Sequence, residues 1–127
     1  RGLIAEYGMS LLLPRLVGTA NALDVLLSGR VFLAEEAHQM GMVNGVVPGD
    51  HLLAHAVAYA SDLAANVSPT SMKVMKQQVY ADTTQAITES EQRALVLMKE
   101  SLTRADFKEG VASFMEKRPP QFAPVTR

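Results

Sequence analysis

The sequence predicts a mainly α protein, and three observations carry that prediction. From about residue 50 onward, apolar residues recur at three- and four-residue spacing. Glycine and proline punctuation is frequent before that point and sparse after it. Cap-type residues stand ahead of the periodic runs, where helix N-termini need acceptors for their free N–H groups.

Taken in order, Gly8, Pro14 and Gly18 bracket a short helical piece ending in "PRLVG". From Thr19 to Leu27, good helix formers place Ala22, Leu23, Leu26 and Leu27 on one face, and Ser28-Gly29-Arg30 stops the run. Val31-Phe32 is too short for more than a bridge. Leu33 to Gly41 reads as a two-turn helix, closed by Gly41 because glycine reaches the left-handed conformation without strain. The stretch "MVNGVVPGD" is β-branched and apolar around Asn44-Gly45, so a short extended segment is expected, ended by Pro48-Gly49.

The remainder reads as helix after helix. Asp50 can cap a helix whose Leu52, Leu53, Ala56, Val57, Ala60, Leu63 and Ala64 line one face. Ser68-Pro69, a cap followed by proline at the first helical position, opens a helix carrying Met72, Met75 and Val79. Asp82 with Gln85 resembles a capping box ahead of a long amphipathic helix with Ile87, Ala94, Leu95, Met98 and Leu102. Asp106 with Glu109 repeats that signal, and Phe107, Val111, Phe114 and Met115 form the last apolar stripe. Pro119-Pro120 forbids continuation. Gly110 inside this helix costs about 1 kcal/mol against alanine, which close packing would explain. Each helix has a single apolar face and must pack on something.

Composition narrows the function classes. At 127 residues the chain has room for one domain or part of a larger one. Hydrophobic residues make up 48%, too many for disorder, yet no uninterrupted apolar run approaches the ~20 residues of a membrane span. The net charge of −1 is interspersed, which gives no electrostatic footprint for nucleic acid or anionic lipid. Zero cysteines exclude disulfide and thiolate chemistry and fit a cytoplasmic location. The chain starts at Arg1 in sequence that already looks structured and unlike a signal peptide, so a fragment of a longer protein is expected.

Three local patterns bear on chemistry. His51 and His55 have metal spacing, but "HLLAH" places Leu52 where a zincin has its glutamate, and no metal site is expected. Ser71 and Lys73 lack the context of a catalytic Ser–Lys pair, and Lys73 with Lys76 reads as a surface basic patch. Glu6, in "LIAEYG", is the only acidic residue before Asp24. Read from the residues alone, it moves a proton with its charged form desolvated by Leu3, Ile4 and Ala5, or it caps a helix beginning near Tyr7 or faces solvent.

The stretch "GTANALDVLLSGRVFLAEEAHQMGMVNGVV" resembles the enoyl-CoA hydratase/isomerase (crotonase) superfamily at Gly18, Ala22, Leu27, Ser28, Gly29, Ala34, Ala37, Gly41, Met42 and Val43. The ending "DFKEGVASFMEKRPPQF" is similar to the family's last helix at Glu109, Gly110, Ser113, Phe114, Glu116, Lys117 and Arg118. The resemblance covers the C-terminal half of that family. It implies the C-terminal part of a crotonase-like (ββα spiral) fold: residues 1–49 would end the spiral core, and 50–127 would form the helical trimerisation region. The family's CoA-gripping loop and its two backbone N–H donors to the oxyanion would precede Arg1.

The implied chemistry stabilises a thioester enolate with those donors while a carboxylate moves a proton. Hydration in typical members uses two glutamates, whereas one carboxylate suffices to shift a double bond. Glu6 resembles the position where several Δ3,Δ2-enoyl-CoA isomerases carry their catalytic glutamate, and where typical hydratases tend to have a small residue. Tyr7 would line the acyl pocket, or simply fill core. Phe114 and Lys117 resemble residues through which one subunit contacts CoA bound to its neighbour, the ring against adenine and the ammonium against the 3′-phosphate. No permanently bound cofactor is implied; the CoA thioester is substrate, in fatty acid metabolism. The complete protein is expected to be a homo-oligomer, a trimer or dimer of trimers, with no nucleic acid or membrane partner. The rival reading is a non-catalytic helical oligomerisation or binding module, inactive without its oxyanion-hole half.

Overall fold

The computed structural model describes residues 2–125. Its helices are α1 (Met9–Ser28), α2 (Ala34–Gln39), α3 (Leu52–Asn66), α4 (Pro69–Asp82), α5 (Ile87–Thr103) and α6 (Ala105–Glu116), with no strand among the described residues. Two compact units meet in sequence at Leu52 and Leu53.

In the first unit, α1 is two helical pieces joined at Gly18, whose φ of 78° and ψ of 159° lie outside helical geometry. The glycine thus does what its position predicted: a Cβ would make that conformation costly. By length and composition alone Met9–Ser28 would suffice to cross a membrane. Neither piece reaches the ~20 residues that a straight span needs. Leu13 (2% exposed), Val17 and Ala22 form the buried cluster, with Val25, Met40 and Met42 packed against it. At the end of α2, Gly41 takes φ 80°, the Met42 N–H reaches the Ala37 carbonyl at 2.8 Å, and the Gly41 N–H reaches His38 at 2.9 Å. That pair is a Schellman closure. Residues 43–48 lie outside any helix and form no ladder; β-branched residues make a strand only beside a partner strand.

In the second unit, α4 packs on α5 and α5 on α6. The Ser68 cap is present: its Oγ accepts from the Ser71 N–H at 3.1 Å, with Pro69 opening α4. The other caps differ from expectation. Pro48 precedes a 3-10 turn, Gly49–His51, that runs into α3, so Asp50 lies inside the turn and not at its cap. Neither α5 nor α6 has a side-chain cap; Ala86 and Arg104 hold those positions. Asp82 and Glu109 bond instead to the guanidinium groups of Arg93 and Arg118, where paired charges make a stronger hydrogen bond than a helix-end amide offers, and Asp106 accepts from the Ser68 hydroxyl. A Cβ built on Gly110 meets nothing within 4 Å, so close packing among the described residues does not account for it.

The apolar faces predicted for these helices are present but largely bare. Leu52, Leu53 and Val57 of α3, Ile87, Leu95 and Met98 of α5, and Val111, Phe114 and Met115 of α6 are all exposed.

Candidate functional site

Glu6, Tyr7 and Gly8 form the turn that leads into α1. The Met9 N–H donates to the Glu6 carbonyl at 3.0 Å, and Gly8 accepts from Leu11 and Leu12. Tyr7 (φ 51°) and Gly8 (φ 77°) are both left-handed. For tyrosine this costs roughly 1–2 kcal/mol, and it raises the turn on strained backbone. The side chain of Glu6 does not cap α1, whose N-cap is Gly8. Among the described residues no hydrogen bond or ion pair engages its carboxylate.

Glu6 is exposed, and so is its apolar setting: Ile4 is 86% and Tyr7 96% exposed, with Leu3 similarly open. The expected desolvation of Glu6 by Leu3, Ile4 and Ala5 is therefore not supplied within this chain. Neighbours in sequence exclude water only when something covers them, and in an open segment nothing does. Tyr7 lines no core here, which removes the core reading for it within the described residues.

The second group lies on the last turn of α6. Phe114 is 82% exposed. Lys117 closes the helix in the left-handed region (φ 53°, ψ 41°), its N–H toward Phe114 at 3.3 Å and the Arg118 N–H on the Ser113 carbonyl at 3.1 Å. Around it, Arg118 forks onto Glu109 (Nη1–Oε1 2.5 Å, Nη2–Oε2 2.9 Å) and places Nε 2.6 Å from Glu116. The Gln121 N–H adds a bond of 2.7 Å to Glu109. The Arg118 guanidinium, helped by that amide, holds the Glu109 carboxyl down to about 2, and the same contact pushes Arg118 up. In the first unit Arg30 similarly binds Asp24 and Glu36 and lies 5.9 Å from the centre of the Phe32 ring; its hydrogen bond to Glu36 holds that carboxyl low.

Sequence reasoning did not find the arginine clusters or the link from Ser68 to Asp106, 38 residues on. That link borders a cavity of about 310 Å³ lined by Ser71, Ser101, Arg104, Phe107 and Phe122 among others. His51 lies 3.6 Å from Asp50, and no group of three or more metal-ligating side chains occurs among the described residues.

The helical succession, the Gly18 break and the α6 ending define a class already known from other proteins. The family model described as enoyl-CoA hydratase/isomerase matches residues 1–124. This chain belongs to the enoyl-CoA hydratase/isomerase family. It is 36% identical over 126 residues to a mevalonyl-coenzyme A hydratase of Aspergillus fumigatus, covering 98% of this chain and 46% of that protein. Among solved structures it resembles enoyl-CoA hydratase EchA1 from Mycobacterium marinum (TM-score 0.84, 32% identity, 96% of this chain and 48% of that one). It also resembles the enoyl-CoA hydratase of Bacillus anthracis (TM-score 0.86, 28% identity, 95% and 46%). The helical architecture is that of part of a crotonase-fold protein. The chain spans about half the length of the relatives it matches.

Proposed function

We propose that this chain is the C-terminal part of an acyl-CoA hydratase/isomerase that works through a thioester enolate in the cytoplasm, with Glu6 moving the proton. In the isomerase form of the reaction, the Glu6 carboxylate takes a proton from the carbon beside the thioester carbonyl of a 3-enoyl substrate. The electron pair delocalises onto the carbonyl oxygen, held by backbone N–H donors from the remainder of the protein. The same carboxylic acid returns the proton two carbons further along, and the double bond has moved into conjugation.

The observation that carries this reading is the turn itself. An unengaged carboxylate immediately precedes the left-handed Tyr7 and Gly8, flanked by bare Leu3, Ile4 and Tyr7. Apolar side chains so exposed mark a surface that another part covers, and covering them would desolvate Glu6 and enclose an acyl chain. Phe114 and Lys117, bare on α6, suit the adenine and 3′-phosphate of CoA. Glu6→Gln in the complete protein, assayed with 3-enoyl- and 2-enoyl-CoA, is expected to lower kcat by roughly 10²-fold or more on the substrate whose proton Glu6 carries. Undiminished turnover of both substrates removes Glu6 from the mechanism.

A second reading has its own support in the bare faces of α3, α5 and α6: a helical module that oligomerises without catalysing. Sedimentation of the 127-residue chain would then show self-association, with no heat of acyl-CoA binding in calorimetry.

A further inference from the structure

The end of α6 presents an arrangement that helix closure alone does not call for. The residue at Lys117 sits where a helix takes glycine with least strain, yet it is a lysine, held at φ 53°. Its backbone is fixed from both sides. Upstream, the Arg118 N–H and its own N–H close onto Ser113 and Phe114. Downstream, the Arg118 fork on Glu109, its Nη1 contact of 3.1 Å with the Pro119 carbonyl, and the Gln121 N–H on the same glutamate tie the outgoing chain back to the helix. Pro119-Pro120 restricts the intervening dihedrals. The side chain of Lys117 is exposed and takes no part in this network among the described residues. A strained backbone, clamped by charged groups, thus carries one unengaged cation three residues beyond one bare aromatic ring.

We infer that the Glu109–Arg118 pair is a positioning clamp, holding Lys117 in its left-handed conformation so that the ammonium and the Phe114 ring face one phosphate-bearing adenine nucleotide together. The inference deepens the proposal that Lys117 and Phe114 contact CoA and rests on it. A lysine on a freely turning tail would lose most of its attraction in ordering itself; a lysine on a locked cap has already been ordered. Glu109 and Arg118 touch no ligand in this arrangement and act through Lys117.

The test compares an enoyl-CoA with the corresponding enoyl-pantetheine thioester, which lacks the adenine and the 3′-phosphate, in the complete protein. Glu109→Gln is expected to raise KM for the CoA substrate about fivefold, the size of one surface charge contact, with kcat within about twofold. KM for the pantetheine substrate should stay unchanged. Arg118→Lys, which keeps charge but loses the fork, should act in the same direction and guards against a variant that does not fold. In a Lys117→Ala background the Glu109→Gln effect should vanish. A KM rise on both substrates alike, or one that persists without Lys117, overturns the clamp. If Lys117→Ala itself leaves the CoA KM unaltered, the CoA-contact reading falls and the clamp with it, a result separable from the others because it appears in the single variant.

Discussion

Replacing Ser68 by alanine removes two bonds made by a single oxygen. Oγ accepts from the Ser71 N–H at 3.1 Å and donates to the Asp106 carboxylate, from a side chain in a residue only 7% exposed. Loss of an N-cap costs about 1 kcal/mol, and loss of a hydrogen bond to a charged group about 1.5–3 kcal/mol. Ser68→Ala should therefore destabilise by about 3 kcal/mol, lowering Tm by roughly 10 °C for a chain of this size. Urea unfolding followed by far-ultraviolet circular dichroism measures it, with Ser68→Thr as a control that keeps both acceptor and donor. In an Asp106→Ala background the same replacement should cost only the cap, about 1 kcal/mol. A wild-type-like midpoint for Ser68→Ala, or full additivity with Asp106→Ala, would refute the argument that this hydroxyl links α4 to α6.

The Glu109 carboxyl lies at about 2 against an ordinary 4.5, so its contribution to stability is complete above the unfolded value and is lost as pH falls from about 4.5 to about 2. Carbon-13 NMR should show its midpoint near 2, and Arg118→Ala should bring it back up toward the ordinary carboxylate range; an unmoved midpoint would deny Arg118 its role. Gly110→Ala should stabilise the 127-residue chain by about 0.5–1 kcal/mol, because the site is helical and a Cβ there meets nothing. Weakened self-association of the complete protein on the same change would place a neighbouring helix against that glycine.

What could be read in advance was local chemistry. The Gly18 break, the Gly41 closure and the Ser68-Pro69 start each depend on residues within one turn of each other, and all three are present. The failed caps share a different cause. Asp82, Asp106 and Glu109 found partners 11, 38 and 9 residues away, and no window of sequence reveals which of two acceptor roles a carboxylate will take. Phe114 and Lys117 are singled out by family resemblance, which fixes their positions and nothing about their surroundings, whereas Glu6 is also legible as the one acidic residue before Asp24. Neighbours in sequence do not decide whether Glu6 is dry or wet, because Ile4 and Tyr7 beside it are bare.

The break at Gly18 has a further consequence for mutation. A helix of 20 residues laid straight would be about 30 Å long, close to the thickness of a bilayer's hydrocarbon. A side chain at residue 18 that cannot hold φ 78° would strain that join or straighten it, so one Cβ there bears on how residues 9–17 and 19–28 are oriented.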